Sequence, residues 1–178
     1  MKELPVRKPN RLKNYDYSQN GCYFITICVK DKHELLGQID VGANCVRPLL
    51  SEHGGIVEKE IHVLSETYEA VEVDKYVVMP NHIHMVIVIG DNGRAGGGGR
   101  IGDNGGRTGD GGGRTQFAPT VSRIVKQFKG SITKQIGFSI WQRSFHDRII
   151  RSEKEYMKIW RYIDENPMKW REDCFYPK

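Results

Sequence analysis

The stretch 90–114 sets the first limit on what this chain can fold into: it is almost wholly Gly, Asp, Asn, Arg and Thr, with Gly-Asp-Asn-Gly at Gly90 and again at Gly102. Such a composition buries too little apolar surface to offset the entropy of ordering it, so 90–116 is expected to be a disordered connection. A phosphate-cradling loop would need a lysine-tipped glycine motif between a strand and a helix, and none surrounds these glycines. Any core must therefore come from the patterned chain on either side, and 178 residues suit one domain. The expected layout is a basic arm over 1–14 followed by a single domain over 15–178. The arm carries Lys2, Arg7, Lys8, Arg11 and Lys13 against Glu3. It reads either as a solvated tail or as a phosphate-contacting arm, with Arg11 and Lys13 as the candidate contacts.

Composition excludes more than it selects. A formal net charge of +5 suits a polyanionic partner, and equally an ordinary soluble protein. Cys22, Cys28, Cys45 and Cys174 form no C-x-x-C pair, so neither a structural zinc site nor a disulfide framework is expected, and a reducing cytosol fits best. No apolar run reaches membrane-spanning length, and residues 1–13 are basic with no hydrophobic stretch behind them. The chain reads as cytoplasmic, neither secreted nor membrane-embedded.

The patterned segments read as follows. Residues 22–29 are aromatic and β-branched and predict a buried strand. Over 55–68, Ile56, Ile61, Leu64 and Tyr68 recur at helical spacing. Two further strands are expected over 76–79 and 82–89, parted by Pro80-Asn81. A second helix should begin near Pro119-Thr120, with Val121, Ile124, Val125, Phe128 and Ile132 on one face. From 111 to 146 there are six basic residues and no acid. Arg123, Lys126 and Lys129 are therefore candidates for a phosphate-binding surface, the alternative being a merely solvated basic face. The last helix is delimited by the capping box Ser152-x-x-Glu155 and by Asn166-Pro167, which predicts about three turns.

Chemistry enters with His82-Ile83-His84. In a strand both imidazoles leave one face, while Ile83, Met85, Ile87 and Ile89 take the other. Such a pair can converge on a divalent metal, although an isolated H-x-H in a strand is also commonly incidental. On the last helix Tyr162 and Asn166 stand four residues apart and share a side. Tyr156 instead falls with Trp160 and Ile163 on the apolar stripe, which makes Tyr162 the accessible phenol. Read alone, Tyr162 is a surface residue and Asn166 a helix cap.

Three blocks now stand in order: Tyr76-Val-Val-Met-Pro-Asn-His-Ile-His-Met-Val, Trp141-Gln-Arg-Ser-Phe-His-Asp-Arg-Ile-Ile-Arg, and Arg161-Tyr-Ile-Asp-Glu-Asn-Pro. Together with Tyr23-Phe24-Ile25-Thr26 they resemble the REP-associated tyrosine transposases over about 15–176, the glycine-rich connection being the departure from the family. The resemblance implies an α+β, ferredoxin-like fold of the HUH endonuclease type, an antiparallel sheet with helices packed on one face. It also implies a single-strand DNA endonuclease and strand transferase that acts at hairpin-forming repeats through a 5′-phosphotyrosine. Carried onto this chain, His82 and His84 match the metal-binding pair, Tyr162 the nucleophile, and Asn166 the polar position that completes the coordination of Mg²⁺ or Mn²⁺. A monomer or homodimer at a bacterial nucleoid is implied.

Arg143, Arg148 and Arg151, flanking the start of the last helix, are candidates to grip phosphates or stack on bases. His146, beside Asp147, stays open as a general base, a nucleotide-orienting group or a structural cap. His33, His53 and His62 have no partner spacing and read as surface or packing residues. Three other readings compete: a domesticated DNA-binding module of this fold that no longer cuts, a replication-initiator or relaxase nuclease, and a small metal-binding or scaffold protein with an incidental histidine pair. The transposase reading requires that the two imidazoles, expected on a sheet edge, and the Tyr162 phenol meet around one cation.

Overall fold

The computed structural model describes residues 19–39, 48–90 and 120–177. The basic arm with Arg11 and Lys13, Cys45, and all of the glycine-rich connection after Gly90 up to residue 116 lie outside the described residues. In chain order the elements are β1 (Gly21–Cys28), the two-residue strands β2 (Gly37–Gln38) and β3 (Leu49–Leu50), and α1 (Glu52–Thr67). There follow β4 (Val71–Met79), β5 (His82–Ile89), α2 (Val121–Ile136), β6 (His146–Ile150) and α3 (Glu153–Glu165). The main sheet has the order β4-β5-β1-β6, antiparallel throughout, while β2 and β3 pair separately. The succession β1-α1-β4-β5-α2-β6 with β1 and β5 at the centre is the expected ferredoxin-like arrangement.

Strand alternation divides the molecule into two layers. Tyr23, Ile25 and Ile27 of β1, with Ile83, Met85, Ile87 and Ile89 of β5, form one core with Val57, Ile61 and Leu64 of α1 and Val121, Ile124, Val125, Phe128 and Ile132 of α2. These are the helices on one face, and the stripe predicted for α2 is buried in full. On the other face α3 inserts Ile159 and Ile163 against Val77, Met79, Val86, Ile150 and Trp170. Burial from both sides explains why β5 reads as a nearly continuous apolar run, with His82 and His84 as its polar members.

Several boundaries differ from the sequence reading. The strand expected over 76–79 begins at Val71, because Glu72, Asp74 and Lys75 disguise it; these charges suit an edge strand, and the register shifts between Val73 and Lys75. β6 carried no strand signal, being short and interrupted by His146, Asp147 and Arg148. α1 starts at Glu52, with Ser51 Oγ accepting from Gly54 N at 3.1 Å. Gly54 is required there, since a Cβ would collide with the Leu36 carbonyl oxygen. The histidine pair does not lie on a sheet edge: β5 is an interior strand, hydrogen-bonded on both sides, and the edges belong to β4 and β6.

Candidate active site

On the α3 face of the sheet, β5 presents His82 and His84 and β1 presents Thr26 directly opposite His84. The imidazoles are 0% and 2% exposed. Burial pushes the His82 pKa down to about 3 and that of His84 well below the usual range, so both rings are neutral at physiological pH, as ligands must be. Their Nε2 atoms stand 3.0 Å apart. Two donors each about 2.1 Å from one cation and at right angles are separated by roughly that distance.

The far side of each ring is held. Asn81 Nδ2 donates to the carbonyl oxygens of Lys32 and Phe175 at 3.1 and 2.9 Å, which turns Asn81 Oδ1 toward His82 Nδ1 at 2.9 Å. An amide oxygen only accepts, so His82 carries its proton on Nδ1 and points the Nε2 lone pair into the site. His84 Nδ1 lies 2.9 Å from Thr26 Oγ1, and the ring stacks on Phe24 with centroids 5.2 Å apart.

The phenol reaches the same place from α3. Ser152 Oγ accepts from Glu155 N, and Glu155 Oε2 accepts from Arg151 N, so the predicted capping box forms with its return bond on Arg151. With the helix start fixed and Ile159 and Ile163 inserted, Tyr162 projects over β1 and β5. Its oxygen is 3.2 Å from His84 Nε2, its ring meets Phe24 and His84 edge-on, and the residue is 41% exposed. Tyr156, as expected, is the more enclosed of the two; its hydroxyl donates to Asp74 Oδ2. Burial first, then the Asp173 carboxylate, pushes the Tyr162 pKa up to about 12.

Asp173 is among the residues that sequence reasoning missed. A short 3₁₀ turn, Trp170–Glu172, anchored by buried Trp170, carries the chain back to the site. His82, His84 and Asp173 each place one donor atom within 4.8 Å of the others. The carboxylate is fixed on both oxygens: Oδ1 accepts from Phe175 N at 2.7 Å, Oδ2 from Asn166 Nδ2 at 2.8 Å. Asn166 is 3% exposed, and its Oδ1 is buried with no hydrogen-bond partner among the described residues. A donor set of two neutral imidazoles and a carboxylate fits a divalent cation. Beside it opens a cavity of about 320 Å³ bordered by Tyr162, Asn166, Lys169 and Asp173. In the sequence, Arg171-Glu172-Asp173 looks like any solvated segment; the one hint is the aromatic surround of Trp170, Phe175 and Tyr176.

The basic candidates separate. Arg148 shares the site's face of the sheet, opposite Phe24, and bridges Glu155 at 2.6 Å while remaining exposed. His146 is exposed one row along, opposite Thr26 on β6. Arg151 stands exposed just before α3, and Arg143 is exposed before β6. Arg123 and Lys126 are exposed on α2, which covers the opposite side of the sheet. Lys129 is turned inward, donating to the carbonyl oxygens of Gln142 and Ser144, so it ties down the segment before β6 instead of displaying its charge.

No family model matches the chain. It is 32% identical over 175 residues to an uncharacterised protein of Haemophilus influenzae, covering 96% of this chain and 93% of that one. It is 24% identical over 160 residues to a second Haemophilus influenzae protein, one that carries the name of the REP-associated tyrosine transposases, covering 89% of this chain and 77% of the other. A solved structure of a REP-associated tyrosine transposase bound to a REP hairpin superposes with a TM-score of 0.59 at 20% identity, over 90% of this chain and 74% of the other, and shares the fold.

Proposed function

We propose that this chain is a REP-associated tyrosine transposase, as its likeness to a relative of that name and its shared fold support, and that it cuts and rejoins single-stranded DNA at hairpin-forming repeats, with Tyr162 as the nucleophile. The observation that carries the reading is the 3.2 Å approach of the Tyr162 oxygen to His84 within the His82, His84 and Asp173 donor set. Sequence separation alone does not bring an exposed phenol to a pair of buried imidazoles.

His82, His84 and Asp173 would hold the cation, with the Asn166 oxygen available as a further donor; two imidazoles suit Mn²⁺ better than Mg²⁺. A divalent cation bound there supplies positive charge that offsets the phosphate oxygens and eases ionisation of the phenol. The protein's own share is positional. Phe24 and His84 hold the Tyr162 ring, and the half-exposed face of the phenol leaves a scissile phosphate room to approach. The Tyr162 oxygen forms a bond to phosphorus as the bond to the 3′-oxygen breaks, giving a 5′-phosphotyrosine, and the departing 3′-oxygen takes a proton from water to become a 3′-hydroxyl. The phenol's proton would leave to solvent water, which reaches the 41% exposed Tyr162. Because one ester replaces another, rejoining to a second 3′-hydroxyl needs no nucleotide cofactor.

Incubation with hairpin-bearing single-stranded DNA and Mn²⁺ tests this. Wild type should form a denaturant-resistant protein–DNA adduct and Tyr162→Phe should form none, while His82→Ala should bind the hairpin without cutting it. Hairpin binding by wild type with no cleavage at all would favour the non-cutting DNA-binding module.

A further inference from the structure

The Pro80-Asn81 turn between β4 and β5 is held by its backbone: Leu36 N donates to the Pro80 carbonyl at 2.9 Å and Val29 N to the Asn81 carbonyl at 2.8 Å. The Asn81 side chain is therefore free of any duty to the turn, yet it is 1% exposed. Two of its hydrogen bonds run to His82 and to the segment that carries Asp173, and the third to the loop after β1. Its oxygen meets His82 Nδ1, and its nitrogen meets the Lys32 and Phe175 carbonyls. Phe175 in turn donates its N–H to Asp173 Oδ1 at 2.7 Å. One amide thus touches the ring of His82, on the strand that brings the imidazoles, and the chain segment that brings the carboxylate, Asn81 and Phe175 being 94 positions apart.

We infer that Asn81 is a positioning residue that fixes the His82 ring and the Asp173 segment in register, so that donors from β5 and from the C-terminal segment face the same point. The inference rests on the metal-binding reading above for what that point receives. It follows from donor and acceptor roles: an asparagine can satisfy an Nδ1–H and two carbonyls at once, whereas aspartate keeps the first bond and loses the other two. Alanine loses all three.

This separates the two duties experimentally. Nitrogen NMR of the histidine rings in the metal-free protein should show His82 protonated on Nδ1 in wild type and in Asn81→Asp, and freed from that state in Asn81→Ala. Amide hydrogen exchange over 173–176 should be slow in wild type and at least about tenfold faster in both variants. Mn²⁺ affinity, read by electron paramagnetic resonance, should fall about 10–100-fold in both. His82 protonated on Nε2 in wild type, or unchanged exchange over 173–176 in Asn81→Asp, would overturn the role assigned to Asn81. A wild type with the expected tautomer and slow exchange that takes up no Mn²⁺ would instead overturn the metal reading and leave Asn81 supported as the register pin.

Discussion

Thr26 shows how much of this site is set by side chains that make no claim in the sequence. It lies opposite His84 on the neighbouring strand, 5% exposed, with its hydroxyl 2.9 Å from Nδ1. Thr26→Val keeps the shape and removes the hydrogen bond, so Mn²⁺ affinity measured by calorimetry should fall about tenfold with little change in melting temperature; an unchanged affinity would show that Phe24 stacking alone orients the ring. Strand and helix periods stated that His82 and His84 share a face and that Tyr162 and Asn166 share a side, while the roles proposed for them came from the family resemblance. Thr26, Asn81 and Asp173 were not readable, since each acts through a contact dozens of residues away, and nothing local distinguishes a threonine in a strand or an aspartate after a helix.

Among the elements, α3 was read closely because its limits are chemical: Ser152 and Glu155 at one end, Asn166-Pro167 at the other. Ser152→Ala should cost about 1 kcal/mol in denaturant unfolding. Glu155 adds a pH dependence whose sign is fixed. The Arg151 N–H, followed by the nearby Arg148 charge, holds its carboxyl below the ordinary carboxylate range. A depressed folded-state pKa gives stability that is present above the unfolded value of about 4.3 and is lost as the pH falls through the folded one. The stability difference between wild type and Glu155→Gln should therefore be largest near neutrality and shrink under acid conditions; a difference independent of pH would assign Glu155 a packing role only. β4 and β6 were the obscure elements, as edge strands carry charges that break the alternation a buried strand shows. Yet β6 matters to the site, because its register sets Arg148 opposite Phe24 and His146 opposite Thr26. Arg148→Ala should weaken hairpin binding in a filter assay and flatten its salt dependence, whereas Lys129→Ala should chiefly lower stability.

Across the whole molecule, one sheet serves two purposes. Its α1 and α2 face holds the larger apolar core, where Ile25 is fully buried, and Ile25→Ala should cost about 2–5 kcal/mol by chemical denaturation. The α3 face spends its central positions on buried polar groups, which that core must carry. This division was only half visible beforehand: the apolar run of β5 announced burial, but not that a third helix would close the second face. The glycine-rich connection joins β5 to α2 after the site-bearing strand is complete, so its composition leaves the motif blocks on either side intact. Tyr162 is the proposed nucleophile that bonds to phosphorus. Nuclease digestion of the adduct followed by tandem mass spectrometry should locate the residual nucleotide on the peptide containing Tyr162, and its appearance on Tyr156, Tyr176 or any other residue would contradict the account.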